Sequence, residues 1–410
     1  MSDVSNGSPA AHPRPTNLGV VLRHVRSVGP CSRADIAAST GLNKATVSGL
    51  VAQLIERRIL REIGLTERRI GRPATMLAID GHGYVGIGAE VGVDQLTVVG
   101  LDLGGRRVLN WRRSLPAAGA NAGRVVAELA GVTRRAAARV RADGGTVVGL
   151  TVAVPGLVDT AGVVRSAPAL GWTNVELGAA LTWALGKPDY RIEVDSDATL
   201  GALAEHRYGA HAGSRHLVYL AGSPGGGMGL ISGGAPFRGV HGYGGTLGHL
   251  RVDPGGPVCG CGRTGCLDAV AGLDALLRRT GTEPQDIVAR DVEVASLVRR
   301  ADGGEESVLS ALAEAGRWLG CAVAVLVDLL HPAVVLLGGY YAGLAPWLLP
   351  PLEREVRALA LAPDAGGLQV AASHFGYEAA ALGGAAVALD TLDSTGIGRS
   401  LSGHRAVAAP

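Results

Sequence analysis

The sequence predicts an α/β protein made of two parts, a small winged helix-turn-helix followed by a larger body of alternating strands and helices. The first 80 residues carry apolar side chains at helical spacing and end in two short β-like segments. From Tyr84 onward, short apolar strands and glycine-rich turns alternate with amphipathic helices. At 410 residues the chain is also longer than one ordinary hydrophobic core, so we expect more than one domain.

Composition excludes several classes of protein. Hydrophobic residues make up 47% of the chain and charged residues 18%, which is typical of a globular protein, and the 63 glycines follow no strict period. No apolar run reaches the roughly 18 residues that span a bilayer, because Asp328 interrupts the longest one, which therefore predicts a buried helix. The N-terminus has neither a basic start nor an apolar stretch, so we expect no signal peptide and no membrane partner. Residues 1–16 and 396–410 are predicted to be disordered tails.

The number of cysteines indicates a cellular compartment, and the distribution of charge indicates a binding partner. Five cysteines, an odd number with three in one loop, indicate a reducing compartment and hence a cytoplasmic protein. Cys31 and Cys321 lie in apolar helical patterns and are interpreted as inert core residues. Residues 1–80 contain eleven Lys and Arg against six Asp and Glu, whereas the remainder contains 27 against 30. A basic module on a mildly acidic body predicts a polyanionic partner for the module.

The first part of the chain predicts three helices. One is expected from about Asn17 to Ser27, because its apolar residues recur at helical spacing. A second should begin after Ser32, an N-cap residue with Asp35 three places on, and end at a turn containing Gly41. The third should begin near Lys44, with Asn43 as its cap. Three helices with this short turn are typical of a helix-turn-helix.

The exposed positions of this module predict contacts with double-stranded DNA. The N-terminal half of the third helix is where a recognition helix meets base edges. The two β-like pieces that follow enclose a slim, cationic loop, which suits insertion into a minor groove. The alternative is a protein-binding winged helix with solvated arginines. The predicted DNA-contacting residues are Asn43, Lys44, Thr46, Ser48 and Gln53 on the helix and Arg68, Arg69 and Arg72 on the wing.

In the body, the glycine-rich turns follow predicted strands. Ligands of open α/β sheets bind beyond the carboxyl ends of the strands, so these turns are candidates for a binding site. The turns in question are at Gly92, Gly156, Asp197, Gly225–Gly227 and Gly338–Gly339.

A short loop in the body, "GHLRVDPGGPVCGCGRTGC", concentrates metal-binding residue types. His249, Cys259, Cys261 and Cys266 supply one nitrogen and three sulfurs, a set that suits tetrahedral structural zinc. A disulfide is a second interpretation, although Cys259 and Cys261 are too close to bridge comfortably and three cysteines leave one over. A catalytic thiol with His249 as its base is a third.

These motifs together resemble a known family. In chain order they are the winged helix, "VGIGAEVGVD", "VAVPGLVD", "APALGW", "VDSDATLGALAE", the cysteine loop and "VVLLGGYYAGL". The order is similar to that of the ROK family of repressors, open-reading-frame proteins and sugar kinases, over roughly residues 17–390. The resemblance implies a two-lobed, actin-like (ribonuclease-H-like) body with a sugar between the lobes, and a winged helix ahead of it in the repressors. We therefore expect a DNA-binding domain at 17–80 and a ROK domain at 81–395, with a zinc loop at 249–266.

The resemblance also assigns roles to single residues. The four residues of the cysteine loop match the family's zinc ligands, and Asp197 matches the catalytic aspartate of its kinases. A helix N-cap before Ala198 is the alternative role for Asp197. The kinases have an Asp-x-Gly-Gly-Thr phosphate turn, but this chain has Glu90-Val91-Gly92-Val93-Asp94. The branched side chain of Val93 and the charge of Asp94 both oppose a triphosphate there, so we expect no enzyme activity and no catalytic residue.

The sugar-binding positions depart from the family as well. Where the family has Asn, Asn, Glu and Glu, this chain has Ala169, Ser196, Thr246 and Asp268. Each lost contact to a sugar hydroxyl costs about 1–3 kcal/mol, so the usual sugar is not assured. The resulting set of candidate ligand-binding residues is Gly156, Ala169, Ser196, Asp197, Thr246, His249 and Asp268.

The leading hypothesis is a zinc-containing ROK transcriptional regulator, usually a repressor, that senses a sugar or a related small molecule. Paired winged helices read paired half-sites, so we expect a homodimer or a homotetramer on a two-fold operator. We expect the helices at about 268–330 and the wing-proximal strands to transmit pocket occupancy to the spacing of the DNA half-sites. The alternatives are an active ATP-dependent sugar kinase with an added DNA-binding domain, and a zinc-stabilised scaffold with a vestigial pocket.

Overall fold

A winged helix-turn-helix precedes a two-lobed α/β body, as the sequence predicts, and each lobe of the body contains a five-stranded sheet. The computed structural model describes residues 16–65, 75–115, 120–283, 290–362 and 367–394. Elements are numbered in chain order. The N-terminal elements are α1 (Asn17–Val28), β1 (Cys31–Ser32), α2 (Arg33–Thr40), α3 (Lys44–Glu56), β2 (Leu60–Leu65) and β3 (Thr75–Ile79).

Local capping sets the helix boundaries in this part, and the predicted caps are confirmed. The Ser32 hydroxyl accepts from the backbone N–H of Asp35, whose carboxylate accepts in return from the N–H of Ser32, a capping box. The side chain of Asn43 accepts from the N–H of Thr46 at 2.8 Å and caps α3. One prediction was wrong, because Cys31 lies in β1, which pairs with β3, and not in a helix. Two residues are too short a strand to produce a recognisable alternation.

The first lobe is built on a mixed sheet with the strand order β11-β7-β4-β5-β6. Strands β11, β7 and β4 are parallel, whereas β5 and β6 are antiparallel additions on one edge. A second, small sheet has the order β10-β9-β8. The elements are β4 (Tyr84–Val91), β5 (Gln95–Asp102), β6 (Arg107–Ser114), α4 (Ala122–Ala142), β7 (Thr146–Val154), β8 (Leu157–Val158), β9 (Val164–Ala167), β10 (Trp172–Val175), α5 (Leu177–Ala184) and β11 (Arg191–Ser196).

The second lobe is built on a sheet with the order β14-β13-β12-β15-β16, in which β12, β15 and β16 are parallel. The elements are α6 (Asp197–Tyr208), β12 (Leu217–Leu220), β13 (Met228–Ser232), β14 (Ala235–Pro236), α7 (Leu267–Ala271), α8 (Leu273–Arg279), α9 (Arg290–Asp302), α10 (Glu306–Leu330), β15 (Val334–Leu337), α11 (Tyr340–Leu359), β16 (Gln369–Ala372) and α12 (Ala379–Ser394). Short 3-10 helices occur at Pro168–Leu170, Leu247–His249 and Gly376–Glu378.

Two helices form the layer between the sheets. Helix α12 packs on β4, β5 and β7 of the first sheet, and α6 packs on β12 and β13 of the second and against α12. Glycines allow this close approach. A methyl group on Gly88 of β4 would overlap the carbonyl oxygen of Ala381, and one on Gly383 of α12 would overlap that of Leu200. Helix α1 packs on α12, so the winged helix and the body share one hydrophobic core.

The predicted glycine-rich turns do lie at the carboxyl ends of strands. Strands β4, β7, β11 and β15 end within two residues of Gly92, Gly156, Asp197 and Gly338–Gly339, respectively, and Gly225–Gly227 lies in the connection from β12 to β13. Because the sheets face each other across α6 and α12, these ends come together between the lobes.

Among the described residues, one helix is long and apolar enough to cross a membrane by length and composition alone. It is α10, and 56% of its most apolar 18-residue window is buried inside the protein. It packs along α11 in the second core, as the sequence predicts for a buried helix.

The central packing generates a prediction for Gly88→Ala. The added methyl group overlaps α12, and overpacking of this kind should lower the free energy of unfolding by about 3 kcal/mol. Urea unfolding followed by circular dichroism measures the change. Gly49→Ala is the control, because nothing lies within 4 Å of a methyl group there, and it should stabilise α3 by about 0.5–1 kcal/mol. A Gly88→Ala variant as stable as the wild type would contradict this account of the packing.

Candidate functional site

A cavity of about 540 Å³ lies between the lobes at the carboxyl ends of the strands. This volume is within the range of small-molecule sites, about 300–1,000 Å³. Six of the seven residues predicted to bind a ligand line it, namely Gly156, Ala169, Ser196, Asp197, Thr246 and His249. The tertiary structure therefore brings together residues that are spread over more than ninety positions of the sequence.

Asp197 is a buried acidic residue that lines this cavity. Its side chain is 4% exposed and accepts hydrogen bonds from the Ser223 hydroxyl and from the N–H of Ala198, each at 2.7 Å. Burial raises the pKa of its carboxyl group to about 6. The N-cap of α6 is Ser196 and not Asp197, because the Ser196 hydroxyl accepts from the N–H of Thr199 and donates to the Thr199 hydroxyl. The carboxylate of Asp197 therefore lines the cavity while it accepts one hydrogen bond from the backbone of α6 and one from the turn that contains Ser223.

Asp268 departs from its predicted place. It is not among the residues that line the large cavity, and its carboxylate accepts from the N–H of Gly225 at 3.3 Å, behind the turn that forms the wall. Burial raises the pKa of this carboxyl group to about 6. Its side chain is shorter than the glutamate of the family by one methylene, and it supports the glycine turn from behind.

Several lining residues were missed by sequence reasoning. Ser223 and Pro224 precede the polyglycine turn, which the pattern alone presents as a simple hairpin connection. Arg263 lies in the cysteine loop, where the sequence pattern indicates only the histidine and the cysteines as binding residues. A signal for Ser223 existed, since a hydroxyl at the carboxyl end of a parallel strand is a position where ligands bind.

The cysteine loop forms one wall of the cavity and holds a compact cluster of metal-binding side chains. One ligand atom from each of His249, Cys259, Cys261 and Cys266 lies within 4.8 Å of the other three. The sulfurs of Cys261 and Cys266 are 3.7 Å apart, and Nδ1 of His249 is 3.6 Å from the sulfur of Cys259. Sulfurs on a tetrahedral zinc lie about 3.8 Å apart, whereas disulfide sulfurs lie about 2.05 Å apart. The four side chains are therefore placed to hold a metal ion.

Electrostatics in the loop act in both directions. Burial raises the pKa of the Cys259 and Cys266 thiols, which opposes the thiolate form that a metal binds. Burial and the charge of Arg263 lower the pKa of His249, which favours the neutral ring that a metal requires. Burial opposes ionisation of Cys261, but hydrogen bonds from Arg263 and from the neighbouring thiols outweigh it and lower the pKa of this thiol to about 7. Because Nδ1 of His249 faces the cysteines, its other ring nitrogen is left for the cavity.

A second, much smaller cavity of about 60 Å³ lies beside the turn Glu90–Asp94. Burial and the charges of Asp197 and Asp94 raise the pKa of Glu90 to about 8, against the opposing effect of Arg112. One oxygen of Glu90 is buried and has no hydrogen-bond partner among the described residues. Val93 is buried and lines this cavity.

Asp94 joins the two lobes. Its carboxylate accepts from the backbone N–H of Arg290, the first residue of α9, at 2.6 Å. Arg112 of the first lobe lies 3.4 Å from the carboxylate of Asp291 and 5.4 Å from the centre of the Tyr377 ring. A carboxylate at a helix N-terminus is favourable because the first N–H groups lack partners within the helix. The side of the cleft next to the turn is thus closed by contacts between the lobes.

The helix-turn-helix presents a polar face to solvent. Asn43, Lys44, Ser48 and Gln53 are exposed and Thr46 is half-buried, whereas Val47, Val51 and Leu54 are buried against the module's core. The side chain of Asn43 is engaged in capping α3. The predicted wing residues Arg68, Arg69 and Arg72 lie outside the described residues.

Two family profiles match this chain, one on the helix-turn-helix and one on the body. The ROK family profile matches residues 87–391, and the IclR helix-turn-helix domain profile matches residues 20–64. The xylose repressor of Bacillus subtilis is 27% identical over 375 residues, which cover 91% of this chain and 95% of the repressor. The DNA-binding transcriptional dual regulator NagC of Escherichia coli is 27% identical over 376 residues, which cover 89% of this chain and 90% of NagC.

Solved structures agree. A ROK family transcriptional regulator described as a homolog of the Escherichia coli MLC protein has a TM-score of 0.75 and 26% identity, and the match covers 92% of this chain and 96% of that one. A ROK family glucokinase from Streptomyces griseus, solved with glucose and AMPPNP, has a TM-score of 0.63 and 25% identity over 74% of this chain and 98% of its own. The glucokinase therefore matches a smaller share of this chain than the regulator does. With a family profile covering most of its length and a helix-turn-helix ahead of it, the chain belongs to the ROK family and is one of its DNA-binding transcriptional regulators.

Proposed function

We propose that the protein represses transcription from a two-fold DNA operator and leaves it when a sugar or sugar-derived molecule occupies the 540 Å³ cavity. The observation that carries the proposal is the combination of an exposed, polar α3 with a body whose ligand cavity is open while its phosphate turn is obstructed. Relatives named as xylose and N-acetylglucosamine repressors support a sugar as the ligand. The substitutions at Ala169 and Thr246 favour a ligand that differs from the family's usual sugar.

We further propose that the protein is not a kinase. By its resemblance to the family, Asp197 corresponds to the kinase base, but a base alone transfers no phosphoryl group. The cavity beside Glu90–Asp94 holds only about 60 Å³, and Val93, which lines it, is buried. By the family resemblance, Val93 and Asp94 stand where the kinases have the glycine and threonine of the phosphate turn. The contact between Asp94 and Arg290 would have to break before a triphosphate could enter.

The proposed cofactor is one structural zinc ion, held by His249, Cys259, Cys261 and Cys266. Bound there, zinc would supply folding energy to a loop that has little core of its own. The ion would also fix the positions of His249 and Arg263 at the cavity, because both residues belong to the loop and line the cavity.

The assembly and its location remain part of the proposal. We propose a DNA-binding domain at 17–80 and a ROK domain at 81–395 in a cytoplasmic homodimer or homotetramer, since a two-fold operator requires two copies of α3. Asn43, Lys44, Thr46, Ser48 and Gln53, with the wing residues Arg68, Arg69 and Arg72, are the proposed DNA contacts.

The DNA-binding face is tested with Lys44→Ala. Fragments of genomic DNA selected by the purified protein supply the operator, and fluorescence anisotropy measures its affinity. Loss of one contact at the start of a recognition helix should weaken operator binding by about tenfold and lower the salt slope by about one. Arg357→Ala, which removes the same charge from an exposed position on α11, is the control and should change neither quantity.

Equal effects of Lys44→Ala and Arg357→Ala would show that α3 does not contact the DNA. Equal affinity of the wild type for the selected fragments and for random DNA would contradict the proposed function itself. Sugars and sugar phosphates that release the wild type from the selected fragments would identify the ligand.

The metal site is tested by elemental analysis of the purified protein. We expect about one zinc per chain in the wild type and less than about one fifth of that in Cys261→Ser, because a structural site needs all four ligands. Cys321→Ser lies on α10, away from the cluster, and should keep the full zinc content. Zinc-free wild type from a zinc-supplemented culture would contradict the assignment.

The absence of kinase activity is tested by incubating the protein with Mg-ATP and D-glucose, D-xylose or N-acetylglucosamine. We expect no sugar phosphate above the protein-free background, because the phosphate turn is filled and negatively charged. A hexokinase added to the same assay verifies detection. Turnover that disappears in Asp197→Asn would overturn the proposal, since it would show that the kinase base is in use.

A further inference from the structure

Helix α6 begins in the ligand cavity. Ser196 and Asp197, at its N-terminal end, line the cavity, and its first nine residues are all buried. With 12 residues it is about 18 Å long. A helix this completely enclosed moves as a rigid body, so a displacement at Asp197 must appear at the other end.

The far end of α6 is fastened to α12. Arg207 donates to the carbonyl oxygen of Ala386 at 3.2 Å and to both carboxylate oxygens of Asp390, at 3.1 and 2.6 Å. In the middle of α6, the backbone of Leu200 packs directly on Gly383 of α12. The two helices therefore move together.

Asp390 also holds the DNA-binding part. Arg26, in the last turn of α1, donates to Oδ1 of Asp390 at 3.2 Å. One carboxylate thus joins an arginine from the cavity helix to an arginine from the winged helix. Around it, Leu22 and Val25 of α1 belong to the same hydrophobic core as Leu389 of α12.

We propose that Asp390 is a positioning residue that couples the ligand cavity to the winged helix through α6 and α12. The inference rests on the proposed function as a ligand-responsive DNA-binding regulator. The route differs from the sequence-based expectation, because the helices between residues 267 and 330 pack in a separate core, whereas α1 packs on α12. Asp390 fixes the angle of the winged helix on the body, and a shift of α6 changes that angle.

Hydrogen–deuterium exchange of the full-length protein tests the attachment. Asp390→Asn keeps the shape of the side chain and removes its charge, so residues 17–28 should exchange about two- to fivefold faster, as expected for the loss of a partly exposed ion pair. Asp143→Asn is the control, since it breaks the exposed pair with Arg139 on α4 and should leave α1 unchanged. Unchanged exchange of α1 in Asp390→Asn would overturn the proposal.

Coupling to the cavity is tested by a double-mutant cycle that needs no ligand. Asp197→Asn perturbs the cavity end of α6, and it should change the exchange of residues 17–28 by about twofold or more in the wild-type background. In the Asp390→Asn background the change should be less than about half as large. If Asp197→Asn does not fold, the same cycle is measured with Ser223→Ala, which removes a hydrogen bond to Asp197. Additive effects would show that Asp390 does not connect the two sites.

DNA binding supplies the functional readout. Asp390→Asn should weaken binding to a selected two-half-site operator by about tenfold and leave binding to one half-site within about twofold, because it alters the placement of α3 and not its surface. Equal loss on both DNAs would contradict a positioning role. If the wild type binds no specific DNA, the proposed function fails, and the exchange cycle still decides whether Asp390 couples α6 to α1.

Discussion

The close approach of α6 and α12 between the two sheets is the constraint on which the rest of the structure depends. It exists because β4 and α12 present glycine where any side chain would overlap a neighbouring backbone, as at Gly88 and Gly383. With the helices this close, the carboxyl ends of five strands meet between the lobes, and the cavity forms there. Helix α1 packs on α12, so the same hydrophobic core supports both the cavity and the DNA-binding part.

The two cavities between the lobes differ in size and in the residues that line them. The large one retains a buried carboxylate, a histidine and several hydroxyls, which is chemistry for recognising a polar ligand. The small one holds about 60 Å³ beside Glu90–Asp94, and the carboxylate of Asp94 accepts a hydrogen bond from the N–H of Arg290 in the other lobe. Contacts between the lobes lie beside the small cavity, whereas the cysteine loop forms one wall of the large one.

Some parts of the site could be predicted from the sequence because the interacting residues are close together in the chain. The cysteine loop places four metal-binding side chains within eighteen residues, and the caps at Ser32 and Asn43 act on N–H groups three residues away. Other parts could not be predicted, because they depend on which distant segments of the chain come into contact in the folded protein. Asp268 supports Gly225 from behind, and the role of Asp390 requires α1, α6 and α12 to converge from opposite ends of the chain.

The sequence by itself determined the order of the elements, the helix-turn-helix and the cysteine loop with its four metal-binding residue types, since each is set by residue types and short spacings. Only the tertiary structure decided which of the predicted ligand residues face the cavity, that Asp94 contacts Arg290, and that the winged helix is attached to α12. The physical reason is that these contacts join residues up to 364 positions apart, and their geometry follows from how closely two helices pack between two sheets.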